Sequence, residues 1–187
     1  MSSDLKILNE ILSFDSPSCS LQLKYIHTRL GAMFSLSDNE HLYMLEFIDE
    51  NKIIREMKAL QMKLKAEITF GDSHINTLLS SELEAYFSGQ LQYFSIPVCM
   101  TGSEFQNKVW SALLEIPYGE AVSYKDIAKE IGSPKAVRAV GNANGLNKIP
   151  IIIPCHRVIS SSGKIGGYSG GLERKKFLLD LENISVK

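Results

Sequence analysis

Apolar positions change their period several times along the chain. Leu5, Leu8 and Leu12 share a helical face within residues 3–14, and Ser16-Pro17-Ser18 ends it. Leu21, Leu23 and Tyr25 alternate with polar residues, which predicts a half-buried strand. Further strands are expected over Ala32 to Leu36 and His41 to Phe47, joined by a turn at Ser37-Asp38-Asn39. The period then lengthens. Ile53, Met57, Leu60 and Leu64 fit one helix, and Ile75, Leu78, Leu79, Tyr86 and Phe87 a second that Gly89 can end. Residues 1–95 therefore predict a small sheet with helices against it.

A linker containing Pro97 follows, and from Ser103 helix signals become dense. Ser103-x-x-Gln106 is a capping box, in which each side chain satisfies the other residue's backbone N–H. Phe105, Val109, Leu113 and Ile116 form an apolar stripe, which Pro117-Tyr118-Gly119 stops. Ser123 can cap a helix carrying Tyr124, Ile127, Ala128 and Ile131, and Gly132 suits the left-handed position after it. Ser133 and Pro134 then open a helix over 135–144. Two short helices about a tight turn predict a helix-turn-helix. The fold class is α/β, with domains at 1–95 and 101–187.

Composition bounds the class. The chain has 187 residues, 44% hydrophobic and 22% charged, enough for one core or two small ones. It has no apolar run long enough for a membrane span, and its start does not resemble a signal peptide, so a cytoplasmic protein is expected. Three cysteines, Cys19, Cys99 and Cys155, make a poor disulfide framework and contain no Cys-x-x-Cys pair for zinc. The net charge of −1 hides an asymmetry. Residues 1–95 carry eight Lys and Arg against thirteen Asp and Glu; residues 96–187 carry twelve against eight. A basic second half suits a polyanion, and equally two solvated surfaces of different charge.

The second short helix sets Ala136, Val137, Ala139 and Gly141 around Arg138. Small side chains admit close approach of a surface, and one long cation can reach into it, as into a DNA base stack. Taken alone, the segment fits a packed helix pair with Arg138 paired to an acid better. The apolar run 149–154, bounded by prolines, predicts a buried strand or extended segment leading to Cys155-His156-Arg157-Val158. A base and a cation beside a thiol favour thiolate, the nucleophilic form. Neighbours on an extended chain point apart, so direct contact between Cys155 and His156 needs a turn or a bridging water. Cys19 and Cys99 read as inert small hydrophobes. Four glycines around Tyr168 and Ser169 let backbone approach a flat ligand, or form a mobile surface loop. A closing helix carries Lys175, Leu178 and Leu181, with Glu182 near its end.

These segments resemble the methylated-DNA–protein-cysteine methyltransferases. The carriers are Phe105-Gln-Asn-Lys-Val-Trp110, Ile116-Pro-Tyr-Gly-Glu120, Ser123-Tyr124, Pro134-Lys-Ala-Val-Arg-Ala-Val140, Ile153-Pro-Cys-His-Arg-Val158 and Gly167-Tyr-Ser-Gly-Gly-Leu172. They span residues 101–182 in the family's order and spacing, and together are highly specific.

The resemblance implies a ribonuclease-H-like N-terminal domain and repair of alkylated double-stranded DNA. A methyl or alkyl group would pass from O6-alkylguanine, with O4-alkylthymine as a second candidate, to Cys155 after base flipping. His156 would contact the cysteine through a water, and Glu182 would hold the imidazole. Tyr124 would donate a proton towards the purine. Arg138 would fill the gap left by the extruded nucleotide, on a helix whose Ala136 and Val137 approach the DNA. Asn147 would brace the turn before the cysteine. Carbonyls at Cys155 and Val158 would accept from the guanine amino group, and the Ser169 N–H, beside Tyr168, would donate to O6. A stable thioether product implies one turnover per molecule. A monomer with no cofactor is expected.

Some features depart from the pattern. Residues 1–95 match loosely, and Asn142 and Asn144 stand on the second helix where smaller or apolar groups are expected. Cys19, His27 and His41 do not reproduce the zinc ligands of some relatives, so no metal is expected. The alternatives are a non-catalytic lesion binder of the same fold, a helix-turn-helix regulator that senses modification of Cys155, and a cysteine hydrolase.

Overall fold

The computed structural model describes residues 14–48 and 50–186, apart from the side chains of 50–53. The helix expected over 3–14 lies outside them, except for its last residue. The chain forms two compact units: residues up to Ala85 with Ser95–Cys99, and Tyr86–Phe94 with the residues from Met100 on.

The first unit is built on a four-stranded sheet in the order β3-β2-β1-β4. Strands β1 (Cys19–Thr28), β2 (Gly31–Ser37) and β3 (Leu42–Phe47) are antiparallel neighbours, and β4 (Ala66–Phe70) runs parallel to β1. Helix α1 (Glu50–Leu64) precedes β4, and α2 (His74–Phe87) follows it. Leu21, Leu23, Phe34, Leu36 and Met44 pack with Met57 and Leu60 of α1 in one core. The alternation expected over Leu21, Leu23 and Tyr25 fails at its third member. Tyr25 is 47% exposed and stacks on Phe70, and Ile26 is buried instead. The register explains this: Ile26 pairs with Met33 and Met33 with Phe47, which share the opposite face, also buried. Polar bonds cross to α2, from Ser35 Oγ to Asn76 Oδ1 at 2.6 Å and between Ser37 Oγ and Ser73 Oγ at 2.7 Å. Burial on both faces hides the period-2 signal. Strand β4 was absent from the sequence reading.

In the second unit, α3 (Glu104–Leu114) begins with the expected capping box between Ser103 and Gln106. Its Trp110 Nε1 donates to the Ala143 carbonyl at 2.8 Å, tying it to α5 (Val137–Gly145). Ser123 caps α4 (Tyr124–Glu130) in a second box with Asp126, and Gly132 adopts φ +70° after it. Helix α5 starts later than expected. Ser133 accepts from the Ala136 N–H in a preceding turn, and Ala136 is the N-cap, with no side-chain cap. Two short parallel strands, β5 (Val122–Ser123) and β6 (Val158–Ile159), pair, and α6 (Leu172–Leu181) closes the unit. Residues 86–94, which the sequence assigned to the first domain, belong to the second unit. Tyr86 donates to Glu182 there at 2.5 Å, and Phe87 packs on Phe177.

Candidate active site around Cys155

The segment before Cys155 is not a strand. Residues 149–154 are buried in a tight turn, closed by the Ile153 N–H donating to the Ile149 carbonyl at 2.9 Å. Ile151 sits at φ +76°, a region that a β-branched residue rarely enters and that costs about 1–3 kcal/mol. The Asn147 side chain spans this turn. Its Nδ2 donates to the Ile153 carbonyl at 2.9 Å, and its Oδ1 accepts from the Ile149 N–H at 3.0 Å. Cys155, His156 and Arg157 then form one 3₁₀ turn, so their side chains diverge around an axis rather than alternating across a strand. Pairing of Val122 with Val158 and Ser123 with Ile159 connects this turn to the start of α4 and Tyr124.

Beneath the turn lies a buried polar network centred on Glu182. Its Oε1 is 2.9 Å from His156 Nε2 and 3.0 Å from an Arg157 guanidinium nitrogen, and its Oε2 accepts from Arg157 Nε at 2.8 Å. Arg157 also donates to the Ile116 carbonyl at 2.6 Å. Burial alone would raise the Glu182 carboxyl, but the hydrogen bonds from His156 and Arg157 and the Arg157 charge outweigh it and hold the group down at about 2. Burial lowers His156 against the opposing pull of Glu182. The imidazole is therefore neutral, with Nε2–H donating to Glu182 and a lone pair on Nδ1. Nδ1 has no hydrogen-bond partner among the described residues, which leaves an acceptor beside the cysteine in sequence.

Cys155 is 1% exposed, but it is not in a purely apolar interior. Tyr124 and Lys175 interact with it electrostatically. Burial first, and the Cys155 charge second, push the Tyr124 phenol up, so it keeps its proton. A Cβ at Gly141 would lie 3.8 Å from the Tyr124 ring, and one at Gly166 would lie 3.2 Å from Tyr124 Oη. Gly166 adopts φ +70°, so glycine there serves both the turn and the phenol.

The remaining expected residues fall in three groups. Arg138 is exposed on α5 and pairs with no acid among the described residues, against the packed-helix alternative. Val137 and Ala136 are half-buried at the start of that helix. Ser169 is exposed and Tyr168 half-buried in the glycine loop. The carbonyls expected to face the guanine amino group already have internal donors. Val158 O accepts from Lys175 Nζ at 2.6 Å; Cys155 O accepts from the Val158 N–H and from Asn144 Nδ2 at 3.3 Å. The Val158 carbonyl retains a lone pair for a second bond, whereas both lone pairs of the Cys155 carbonyl are already taken.

Sequence reasoning missed Arg157 as a Glu182 partner, and it missed Asn144 and Lys175. Asn144 is buried and holds the cysteine carbonyl, whereas Asn142 is exposed. Lys175 is fully buried, three and four residues before buried Leu178 and Leu179. A lysine on the apolar face of a helix was the available signal.

A family model described as the 6-O-methylguanine DNA methyltransferase DNA-binding domain matches residues 104–184. A methylated-DNA–protein-cysteine methyltransferase of Methanosarcina acetivorans is 52% identical over 126 residues, 65% of this chain and 81% of that protein. The Mycobacterium leprae protein of the same name is 57% identical over 106 residues, 57% of this chain and 64% of its own length. Among solved structures, Mycobacterium tuberculosis OGT in complex with DNA superposes with a TM-score of 0.73 at 39% identity, covering 87% of this chain and 92% of that one. O6-methylguanine-DNA methyltransferase from Pyrococcus kodakaraensis gives 0.62 at 25% identity, covering 88% and 99%. With these matches across both units and the residues around Cys155 in place, the chain belongs to the methylated-DNA–protein-cysteine methyltransferase family.

Proposed function

We infer that this chain repairs alkylated DNA by transferring a methyl or alkyl group from the O6 atom of guanine to Cys155, once per molecule. The observation that carries this reading is the set of groups around the cysteine. A neutral imidazole with a free lone pair adjoins it in sequence, and a protonated phenol feels its charge.

The reaction is an in-line displacement at an alkyl carbon. His156 Nδ1 takes the thiol proton through a bridging water, and Glu182 holds the ring in the tautomer that makes Nδ1 the acceptor. The sulfur forms a bond to carbon as the bond from carbon to O6 breaks. Tyr124 supplies a proton to the purine, so that guanine does not leave as an anion. The product thioether is stable, with a thiolate too poor a leaving group for water to displace, so turnover is stoichiometric and needs no cofactor.

Burial of Cys155 supports base flipping, because no atom of a stacked base reaches a sulfur so enclosed. We read α4 and α5 as a helix-turn-helix that places α5 in a groove of double-stranded DNA. Ala136 and Val137 approach the backbone there. Arg138, exposed and unpaired among the described residues, enters the space of the extruded nucleotide. The Ser169 N–H and the Tyr168 segment receive the base, and Asn147 fixes the strained turn that carries the acceptor. The first unit's sheet, three antiparallel strands with a fourth parallel to β1, supports a ribonuclease-H-like reading. No helix among the described residues is long and apolar enough to cross a membrane. Action as a cytoplasmic monomer is part of the proposal.

Incubation with DNA carrying a labelled O6-methyl group tests the assignment. Label is expected on the unaltered chain and none on Cys155→Ala, which still binds the DNA. Label retained by Cys155→Ala contradicts it.

A further inference from the structure

Glu182 Oε1 carries more donors than it has lone pairs. Tyr86 Oη donates to it at 2.5 Å, His156 Nε2 at 2.9 Å and an Arg157 guanidinium nitrogen at 3.0 Å. A carboxylate oxygen offers about two lone-pair sites, so these donors compete. The Tyr86 contact is the shortest of them, in the range of a charge-assisted bond from a hydroxyl to a carboxylate. Oε2 is loaded more lightly, with Arg157 Nε at 2.8 Å and the Gly119 N–H at 3.5 Å. The proposed reaction uses His156 and Glu182 and gives Tyr86 no part.

Packing fixes the phenol. Tyr86 is fully buried near the end of α2, and its ring lies among Phe87, Phe94 and Tyr118, with centroids 5.5, 5.1 and 6.2 Å away. Burial and the Glu182 charge push its ionisation up, so it keeps its proton and remains a donor. Other groups face the same imidazole and carboxylate. The 3₁₀ turn contributes Cys155 and Arg157, and α6 contributes Lys175. The turn after α3 contributes Tyr118, whose ring centroid is 5.8 Å from Arg157 Cζ. Burial lowers His156 most, the bond and charge of Glu182 act against it, and the charges of Arg157 and Lys175 act with it. How basic the ring is therefore depends on how much of Oε1 it receives.

We propose that Tyr86 tempers His156 as a base: by taking a share of Glu182 Oε1 it weakens the carboxylate's pull on Nε2–H and keeps Nδ1 unprotonated, open to the thiol proton. Tyr86 is thus a positioning residue that acts through Glu182. A carboxylate that held Nε2–H without this competitor would favour the imidazolium more, and a ring already protonated at Nδ1 accepts nothing. No proton passes between Tyr86 and Glu182. The phenol keeps its own, and the thiol proton goes to Nδ1. The role in transfer rests on Cys155 being the alkyl acceptor and His156 its base; the sharing of Oε1 does not.

The test follows the imidazoles of the full chain by nitrogen-15 NMR against pH, with His27, His41 and His74 of the first unit as internal references. Tyr86→Phe keeps the ring and removes the donor. It is expected to raise the His156 midpoint by at least about half a pH unit, about a threefold gain in imidazolium above the midpoint. Ring-fluorinated tyrosine in place of Tyr86 keeps the shape and donates more strongly, so it is expected to lower the midpoint, and it serves if Tyr86→Phe does not fold. A folded Tyr86→Phe protein with an unchanged or lower midpoint overturns the proposal, as does a fluorinated protein whose midpoint rises. In single-turnover transfer from O6-methylguanine DNA, the acid limb of the Tyr86→Phe rate profile is expected to move up with the NMR midpoint. A loss of rate that is equal at every pH overturns the tempering role. If the midpoints shift as expected but the unaltered chain takes no label from DNA, the alkyl-acceptor reading fails and the tempering stands.

Discussion

His156 Nε2 lies 2.9 Å from Glu182 Oε1, and both side chains are wholly buried. The same carboxylate neutralises Arg157, so one negative charge serves a cation and a neutral ring together. This fixes which imidazole nitrogen carries the lone pair, and so which can receive the thiol proton.

That network predicts an acid limit to stability. Glu182 is held at about 2 in the fold against an ordinary 4.5, so between these values the unfolded chain binds the extra proton. Stability therefore rises with pH across that window. The contribution is present above about 4.5 and lost as pH falls through about 2, amounting to about 3 kcal/mol. Urea midpoints measured from pH 2 to pH 6, markers of roughly that window, should decline towards acid in the unaltered chain. Glu182→Gln should flatten the decline and lower stability at neutral pH by about 3–5 kcal/mol, because Arg157 is left buried without its partner. An unchanged acid slope would contradict the assignment.

Arg138 acts, in this account, on the duplex and not on the base. Arg138→Ala should react with free O6-alkylguanine nearly as fast as the unaltered chain, while transfer from duplex DNA falls steeply, by about tenfold or more. Parallel single-turnover rates on the two substrates decide it. Equal losses on both defeat the wedge role.

Tyr124→Phe keeps the ring against Gly141 and removes the O–H that faces Gly166 and the Gly167 carbonyl. Transfer should slow by about 10²-fold with DNA affinity unchanged, in line with loss of a general acid. A rate within a factor of about two of the original rules out proton donation by this phenol.

Three local signals in the second unit appear in the fold as expected, while Ser133-Pro134 does not open the helix that it predicts. Ser103 with Gln106, Ser123 before Tyr124, and Gly132 act through chain neighbours, so the sequence states them directly. A base and a cation beside Cys155 were legible because Cys155, His156 and Arg157 are contiguous, whereas the parts of Tyr124 and Glu182 came with the family resemblance. The geometry was not legible. Ile151 turns where an apolar run reads as extended, because the bonds from Asn147 that hold it come from outside that run. The contacts of Lys175 and Asn144 were not legible, because only tertiary packing brings them against the Val158 and Cys155 carbonyls. In the first unit, β4 does alternate, with Ala66, Ile68 and Phe70 against Glu67 and Thr69, but it is short and follows directly on the helix that ends at Leu64.

The most direct test of the central claim is intact-mass spectrometry of the chain after incubation with excess duplex DNA containing O6-methylguanine, followed by peptide mapping. The account predicts one added methyl group per molecule, located on Cys155, with no further repair once every molecule carries it. Continued repair beyond one equivalent, or a methyl group located on any other residue, would contradict it.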